Sequence, residues 1–292
     1  MVGVGNECHK WLFNPQANAF QLNSVSESLN YLVNRSTLIL SSVSKFSEFE
    51  KHSEWNLTEP KISDSYSHYD ALSDRLRALH NSFPSITHLY SVGSSVQGRM
   101  LWAISIGDNP DIHELGEAEV KLIGNIHGDE PMGKEILLLF ASLLCLNYGQ
   151  NPMITALLDN TQIHILPSMN PDGFEISKKG EETLVGRGNH HQVDLNRNFP
   201  DQFNRSLTSF LPEPETASVI RWSRLYPFVL SASLHGGALV AVYPYDGSFD
   251  HTVHYSSSPD DATFRDLALS YSKFLSAISP PPPILTYILH RQ

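Results

Sequence analysis

From about residue 65 to residue 273 the apolar positions switch repeatedly between two periodicities. In SHYDALSDRLRALHNSFP, Tyr69, Leu72, Leu76 and Leu79 recur at helical spacing and share one face. Ser67 with Asp70 offers an N-terminal cap for that helix, and Pro84 closes it. THLYSVG and RMLWAISIG read as two strands joined by SSVQGR, which predicts a hairpin. VKLIGNI is almost wholly apolar, as a strand covered on both faces should be. A long helix follows, with Pro131 in its first turn, where the missing N–H costs nothing. PMITALL predicts a short helix, TQIHILP a strand, and the Gly-, Asn- and Asp-rich stretch from Ser168 to Phe199 a long loop. The helix PETASVIRWSRLY leads into the apolar strand FVLSASL, and a last helix spans Ala262 to Lys273.

Strands alternating with helices, most of the strands evenly apolar, predict an α/β domain with a mixed, mostly buried sheet flanked by helices. That domain occupies residues 64–273. Residues 1–63 are Asn- and Ser-rich and are expected to form a poorly ordered N-terminal extension. Residues 274–292, with the tail SPPPPILTYILHRQ, are polyproline followed by a short apolar end and fit nothing before them.

Composition narrows the function classes. At 292 residues and 41% apolar content there is material for a substantial core. A formal net charge of -11 argues against a nucleic-acid surface, which needs clustered Lys and Arg. Cys8 and Cys145 are the two cysteines, so no disulfide framework is expected, and Cys145 inside ILLLFASLLCLNY reads as a packed core thiol. That run is too short to span a bilayer, so no transmembrane segment is expected. Residues 1–30 lack the apolar stretch of a signal peptide, while sequons at Asn34, Asn56 and Asn204 support a secretory setting only faintly.

The candidate chemistry sits where strands end. VKLIGNI stops in His127-Gly128, with Glu130 three residues after the histidine. A His–Glu pair at that spacing arises about once by chance in a chain of this composition, so alone it means little. A second strand, however, ends the same way, in His235-Gly236-Gly237. Ligands of open α/β sheets bind beyond the carboxyl ends of the strands, so if these two strands are neighbours both imidazoles enter one crevice. Two histidines and a carboxylate, with a position left for water, form a hydrolytic zinc set. The bland alternative is two polar strand ends closed by turns.

Between the two strands, LVGRGNHHQVDLNRNFPDQF gathers Arg187, Asn196 and Arg197 in a loop. A guanidinium fork matches a carboxylate, which makes this segment a candidate anion clamp; solvated loop arginines are the alternative. His190 and His191 are adjacent and unsuited to face one ion together, and His164 alternates within a strand as a satisfied core or edge histidine does.

GNIHGDEPMGKE, ILPSMNPDGFE, GRGNHHQVDLNRNFPDQF, PETASVIRW and FVLSASLHGGALVAVYPYD, followed by YSSSPDDATF, resemble in content and order the zinc metallocarboxypeptidases of the N/E branch, the group that includes carboxypeptidases D, E, M and N. The resemblance covers roughly residues 65 to 273. It implies one zinc ion held by His127, Glu130 and His235, with Arg187 polarising the scissile carbonyl and stabilising the oxyanion. Asn196 and Arg197 would hold the free terminal carboxylate of the peptide, and Asp246 in YPYD would pair with a basic side chain. The implied substrates are therefore peptides or proteins ending in Lys or Arg, met by a monomer in an extracellular or secretory setting.

One departure stands out. In the resembled family the general-base glutamate and a tyrosine that closes over substrate come dozens of residues after the third zinc ligand, but no glutamate follows Glu215 here. The C-terminal strands of the sheet and the base are accordingly expected to be missing, as in a truncated form. Two other readings follow. One is a non-catalytic module that binds zinc and peptide C-termini. The other is a related zinc hydrolase of different specificity, such as an acylamino-acid deacylase or an enzyme removing acidic residues, the latter disfavoured by Asp246.

Overall fold

The hairpin expected around residues 87–106 forms one side of the sheet. Strand β2 (Thr87–Ser94) pairs antiparallel with β3 (Met100–Ile106), with a bulge between Ser91 and Ser94. These elements belong to a computed structural model that describes residues 2–3, 58, 60, 65–177, 185–200, 211–237, 241–245, 247–248 and 254–278. Before the hairpin comes helix α1 (Tyr69–Ser82). After it come β4 (Ala118–Gly124), α2 (Met132–Asn147), α3 (Pro152–Leu158), β5 (Thr161–Leu166) and α4 (Pro171–Ile176). A 3-10 turn at Leu195–Arg197 precedes α5 (Pro214–Leu225), β6 (Phe228–Leu234), β7 (Ala241–Val242) and α6 (Asp261–Ile278).

With the two-residue strand β1 (Val2–Gly3), the strands lie in the order β2-β3-β5-β4-β6-β1-β7. The sheet is mixed: β5, β4 and β6 run parallel at its centre, while β2, β3 and β1 bring antiparallel pairings. Most of the expected N-terminal extension and C-terminal tail lie outside the described residues. Within that extension, β1 pairs with β6 and β7, and the Thr58 N–H donates to Asn147 Oδ1 at 2.7 Å.

Side chains alternate along the strands, so both faces of the sheet are buried. On one face Ile104, Ile106, Ile163 and Ile165 pack against Leu72 and Leu76 of α1, Leu137 and Leu144 of α2, and Leu158 of α3. On the other, Leu101, Ala103 and Leu166 meet Val219 and Trp222 of α5 together with Leu195. Cys145 is part of the first cluster, and burial pushes its thiol up to about 12, far from a reactive thiolate. His164 is fully buried, its Nδ1 2.7 Å from the Tyr90 hydroxyl and its Nε2 3.2 Å from Glu119, as expected of a core histidine. Among the described residues no single helix is long and apolar enough to cross a membrane.

Three local expectations are corrected. Ser67 and Asp70 do not cap α1: the N-cap position is His68, without a side-chain cap bond. Ser67 instead donates from its N–H to Glu135 Oε1 at 2.6 Å, so a carboxylate 68 positions away on α2 outcompetes the local cap. Pro131 stands one residue ahead of α2 rather than in its first turn. Inside the stretch expected to be loop, Asn170 Oδ1 accepts from the Gly173 N–H at 2.9 Å and starts α4, with Pro171 at its first position.

Candidate metal centre

Three segments supply the site. Strand β4 ends at Gly124, and Asn125, with φ at +55°, turns the chain so that His127 lies just beyond the strand. Glu130 lies two residues ahead of α2, its N–H donating to His127 O at 3.1 Å. His235 directly follows β6, which runs parallel to β4 with Gly124 opposite Leu234. The two strand ends are therefore neighbours, the condition on which a shared crevice depended.

Close packing of glycines makes the approach possible. A Cβ on Gly133, in the first turn of α2, would lie 2.7 Å from Leu234 O, so glycine lets the helix start press on the end of β6. Gly128, Gly173 and Gly186 meet backbone to backbone, locking the turn after His127 to α4 and to the loop that carries Arg187.

The side chains converge. His127 Nδ1 is 3.0 Å from Glu130 Oε1, and His235 Nδ1 is 3.0 Å from Glu130 Oε2. The Gly236 N–H donates to Glu130 Oε2 at 2.9 Å, and the imidazole centroids are 5.0 Å apart. One donor atom from each of the three residues falls within a 4.8 Å span, enough to hold a metal ion. Burial pushes the Glu130 carboxyl up, but hydrogen bonds from His127, His235 and the Gly236 amide outweigh it and hold the group well below the usual carboxylate range. Two imidazole nitrogens of the same kind facing both oxygens of one carboxylate fit a divalent ion of borderline softness.

A fourth residue, not singled out from the sequence, ties the centre together. Asp194 Oδ1 is 3.1 Å from His127 Nε2, while its Oδ2 accepts from Arg187 Nε and Nη2 at 3.0 and 2.8 Å. A carboxylate behind a metal-facing imidazole fixes its tautomer and ring orientation. Burial raises the Asp194 carboxyl, but His127 and Arg187 together hold it well below its ordinary value. His127 shows the converse: burial pulls it down, and bonds to Asp194 and Glu130 outweigh that and raise it. The third guanidinium nitrogen, Arg187 Nη1, lies 3.7 Å from Glu130 Oε1, so Arg187 faces the cluster.

Asn196 and Arg197 sit on the 3-10 turn that Asp194 caps, the Asn196 N–H donating to Asp194 Oδ1 at 2.9 Å. Arg197 is exposed, with Nη1 donating to Asn196 O at 3.1 Å. Both therefore follow within three residues of the carboxylate that orients His127. His190 and His191 are exposed, and His191 pairs with Glu213 at 2.8 Å. Asp246 lies outside the described residues. The signal for Asp194 was present in DLNRN, an aspartate heading a turn, but its role depends on contacts a linear pattern does not display.

A mixed sheet bearing a His–Glu–His cluster at its parallel strand ends, with an arginine against the carboxylate, is the layout of an α/β protein with a candidate metal centre. Comparison with known proteins narrows this to one family. The zinc carboxypeptidase profile matches residues 72–280, and the chain belongs to that family. It is 53% identical over 207 residues to carboxypeptidase D of Anas platyrhynchos, covering 70% of this chain and 15% of that protein. It is 45% identical over 234 residues to the human carboxypeptidase N catalytic chain, covering 70% of this chain and 51% of that one. These relatives belong to the N/E branch, and the matched region spans about half of the second and much less of the first. The crystal structure of thrombin activatable fibrinolysis inhibitor superposes with a TM-score of 0.63 at 20% identity, over 75% of this chain and 59% of that chain, which shows the shared fold.

Proposed function

We propose that the protein is a zinc-dependent carboxypeptidase that removes C-terminal Lys or Arg from peptides or proteins. The observation that carries this reading is the convergence of His127, Glu130 and His235 beside Arg187, in a member of the zinc carboxypeptidase family. In this proposal those three residues hold one zinc ion. When bound, zinc supplies a Lewis acid for the peptide carbonyl and lowers the pKa of a bound water.

Apart from the general base, a role for which no glutamate follows Glu215, the remaining roles fall to the chain itself. Asp194 occupies Nε and Nη2 of Arg187 and leaves Nη1 directed toward the cluster, where it can donate to a carbonyl oxygen as negative charge develops there. Fixing the guanidinium before substrate arrives removes reorganisation from the reaction. Arg197, exposed on its short turn with Asn196 beside it, is assigned the terminal carboxylate of the peptide. Only a chain end offers that group, which would make the enzyme an exopeptidase. Asp246 is assigned to the basic side chain of the residue released, since a carboxylate in a partly dry pocket favours a cation. Action as a monomer in an extracellular or secretory setting belongs to the same proposal.

Release of C-terminal arginine from a dansylated peptide tests the reading: turnover is expected, and a chelator should stop it. Folded protein with no chelator-sensitive turnover would withdraw catalysis and favour a zinc- and peptide-binding module. Arg197→Ala should abolish equilibrium binding of a Lys-ended peptide while leaving zinc content unchanged. Asp246→Ala should erase the preference for basic over neutral ends, seen by comparing kcat/KM for peptides ending in Arg and Ala; an unchanged ratio would refute the specificity assignment.

A further inference from the structure

Behind the His127–Glu130 turn lies a polar side chain that faces no substrate. Asn125 is fully buried at the end of β4. Its φ of +55° is a conformation that asparagine tolerates better than most residues. Its side-chain Nδ2 donates to His127 O at 2.8 Å and Gly128 O at 3.1 Å, with Glu130 O at 3.3 Å. Its Oδ1 accepts from Ser168 Oγ at 2.9 Å, and its backbone oxygen accepts from the Asn170 N–H at 3.0 Å. One amide therefore gathers the carbonyls of both residues assigned to the metal on this turn, and is itself anchored to the segment leaving β5.

We propose that Asn125 is a positioning residue for the metal centre: its amide draws the carbonyls of 127, 128 and 130 inward, and so presents the His127 and Glu130 side chains together toward His235. This rests on the reading that those three residues bind zinc. The geometry explains why one residue type suits the position. Glycine would take the backbone angle but removes the amide that gathers the three carbonyls, leaving His127 O with only the Glu130 N–H of its two described donors. Aspartate has the same shape and keeps the Ser168 contact, but turns the donor into an acceptor facing other acceptors. A loosened turn would let two of the three ligands drift, and a three-ligand site tolerates this poorly.

The test separates positioning from a general structural contribution. Asn125→Gly and Asn125→Asp are made in the full chain, and two quantities are read: the zinc dissociation constant at neutral pH, by competition with a chelator of known affinity, and the melting temperature of the metal-free protein. The dissociation constant should rise by about 10–100-fold, the range typical of lost outer-shell support. In Asn125→Asp the added negative charge would by itself favour a cation, so weaker binding there cannot be blamed on charge. If either folded variant binds zinc as tightly as the wild type while its metal-free melting temperature drops, Asn125 is merely structural and the proposal is overturned. If only one variant folds, its dissociation constant alone decides. A wild-type chain that binds no zinc would instead bring down the metal-centre reading itself, and this inference with it.

Discussion

Gly128→Ala is expected to unfold the candidate centre and to cost at least about 3 kcal/mol, the upper part of the usual range for overpacking. A Cβ at residue 128 would lie 2.2 Å from the carbonyl carbon of Gly173, 2.3 Å from the Phe174 nitrogen and 2.5 Å from Gly186 O. All three are backbone atoms, so no side chain can swing aside. The turn after His127, the start of α4 and the Arg187 loop would have to separate. Gly98→Ala provides the contrast: its φ is +78° but nothing lies within 4 Å of the added atom. That change should cost about 1–2 kcal/mol from backbone conformation alone. Urea unfolding of both variants, with zinc binding measured on whatever remains folded, checks the pair; a Gly128→Ala protein no less stable than Gly98→Ala would refute the packing argument.

Glu130→Gln is expected to have the largest effect on metal binding. Both imidazoles face the oxygens of this one carboxylate, and it is the only anion among the three converging side chains. The amide keeps the size, removes the charge and turns one oxygen into a nitrogen donor pointed at an imidazole nitrogen. Zinc affinity should fall well beyond the ~10–100-fold associated with outer-shell residues. Ligand binding at about 1,000 times the dissociation constant stabilises a fold by about 4 kcal/mol, so wild-type protein should melt higher when zinc is added. Glu130→Gln should show little of that shift. A shift equal to the wild type's would remove Glu130 from the ligand set.

Much of the architecture could be read from the chain because local signals and burial agreed. FVLSASL and PMITALL marked β6 and α3 with the same boundaries, the first as a mainly apolar run broken only by Ser231 and Ser233, the second started by Pro152 behind a capping Asn151. The helical face of Leu72 and Leu76 was legible for the same reason. What could not be read was anything decided by a distant partner. Ser67 resembled a cap until Glu135 took its N–H. Asn-Pro-Asp-Gly reads as a turn, yet Asn170 uses it to begin α4. The adjacency of β4 and β6, on which the whole centre depends, is a matter of strand order, and no residue in either strand encodes it alone. The roles of Asn125 and Asp194 could not be read for a related reason: each acts through several backbone or side-chain partners that only the folded chain assembles.

Asp194 carries an evolutionary implication. Because a single carboxylate braces both an imidazole of the ligand cluster and the guanidinium beside it, mutation at position 187 propagates to the ring of residue 127. Selection for a new substrate therefore has little freedom on that side of the cleft. The solvent-facing end of the 3-10 turn lies outside that brace: exchanging Arg197 would remove the assigned hold on the chain end without releasing the ring of His127.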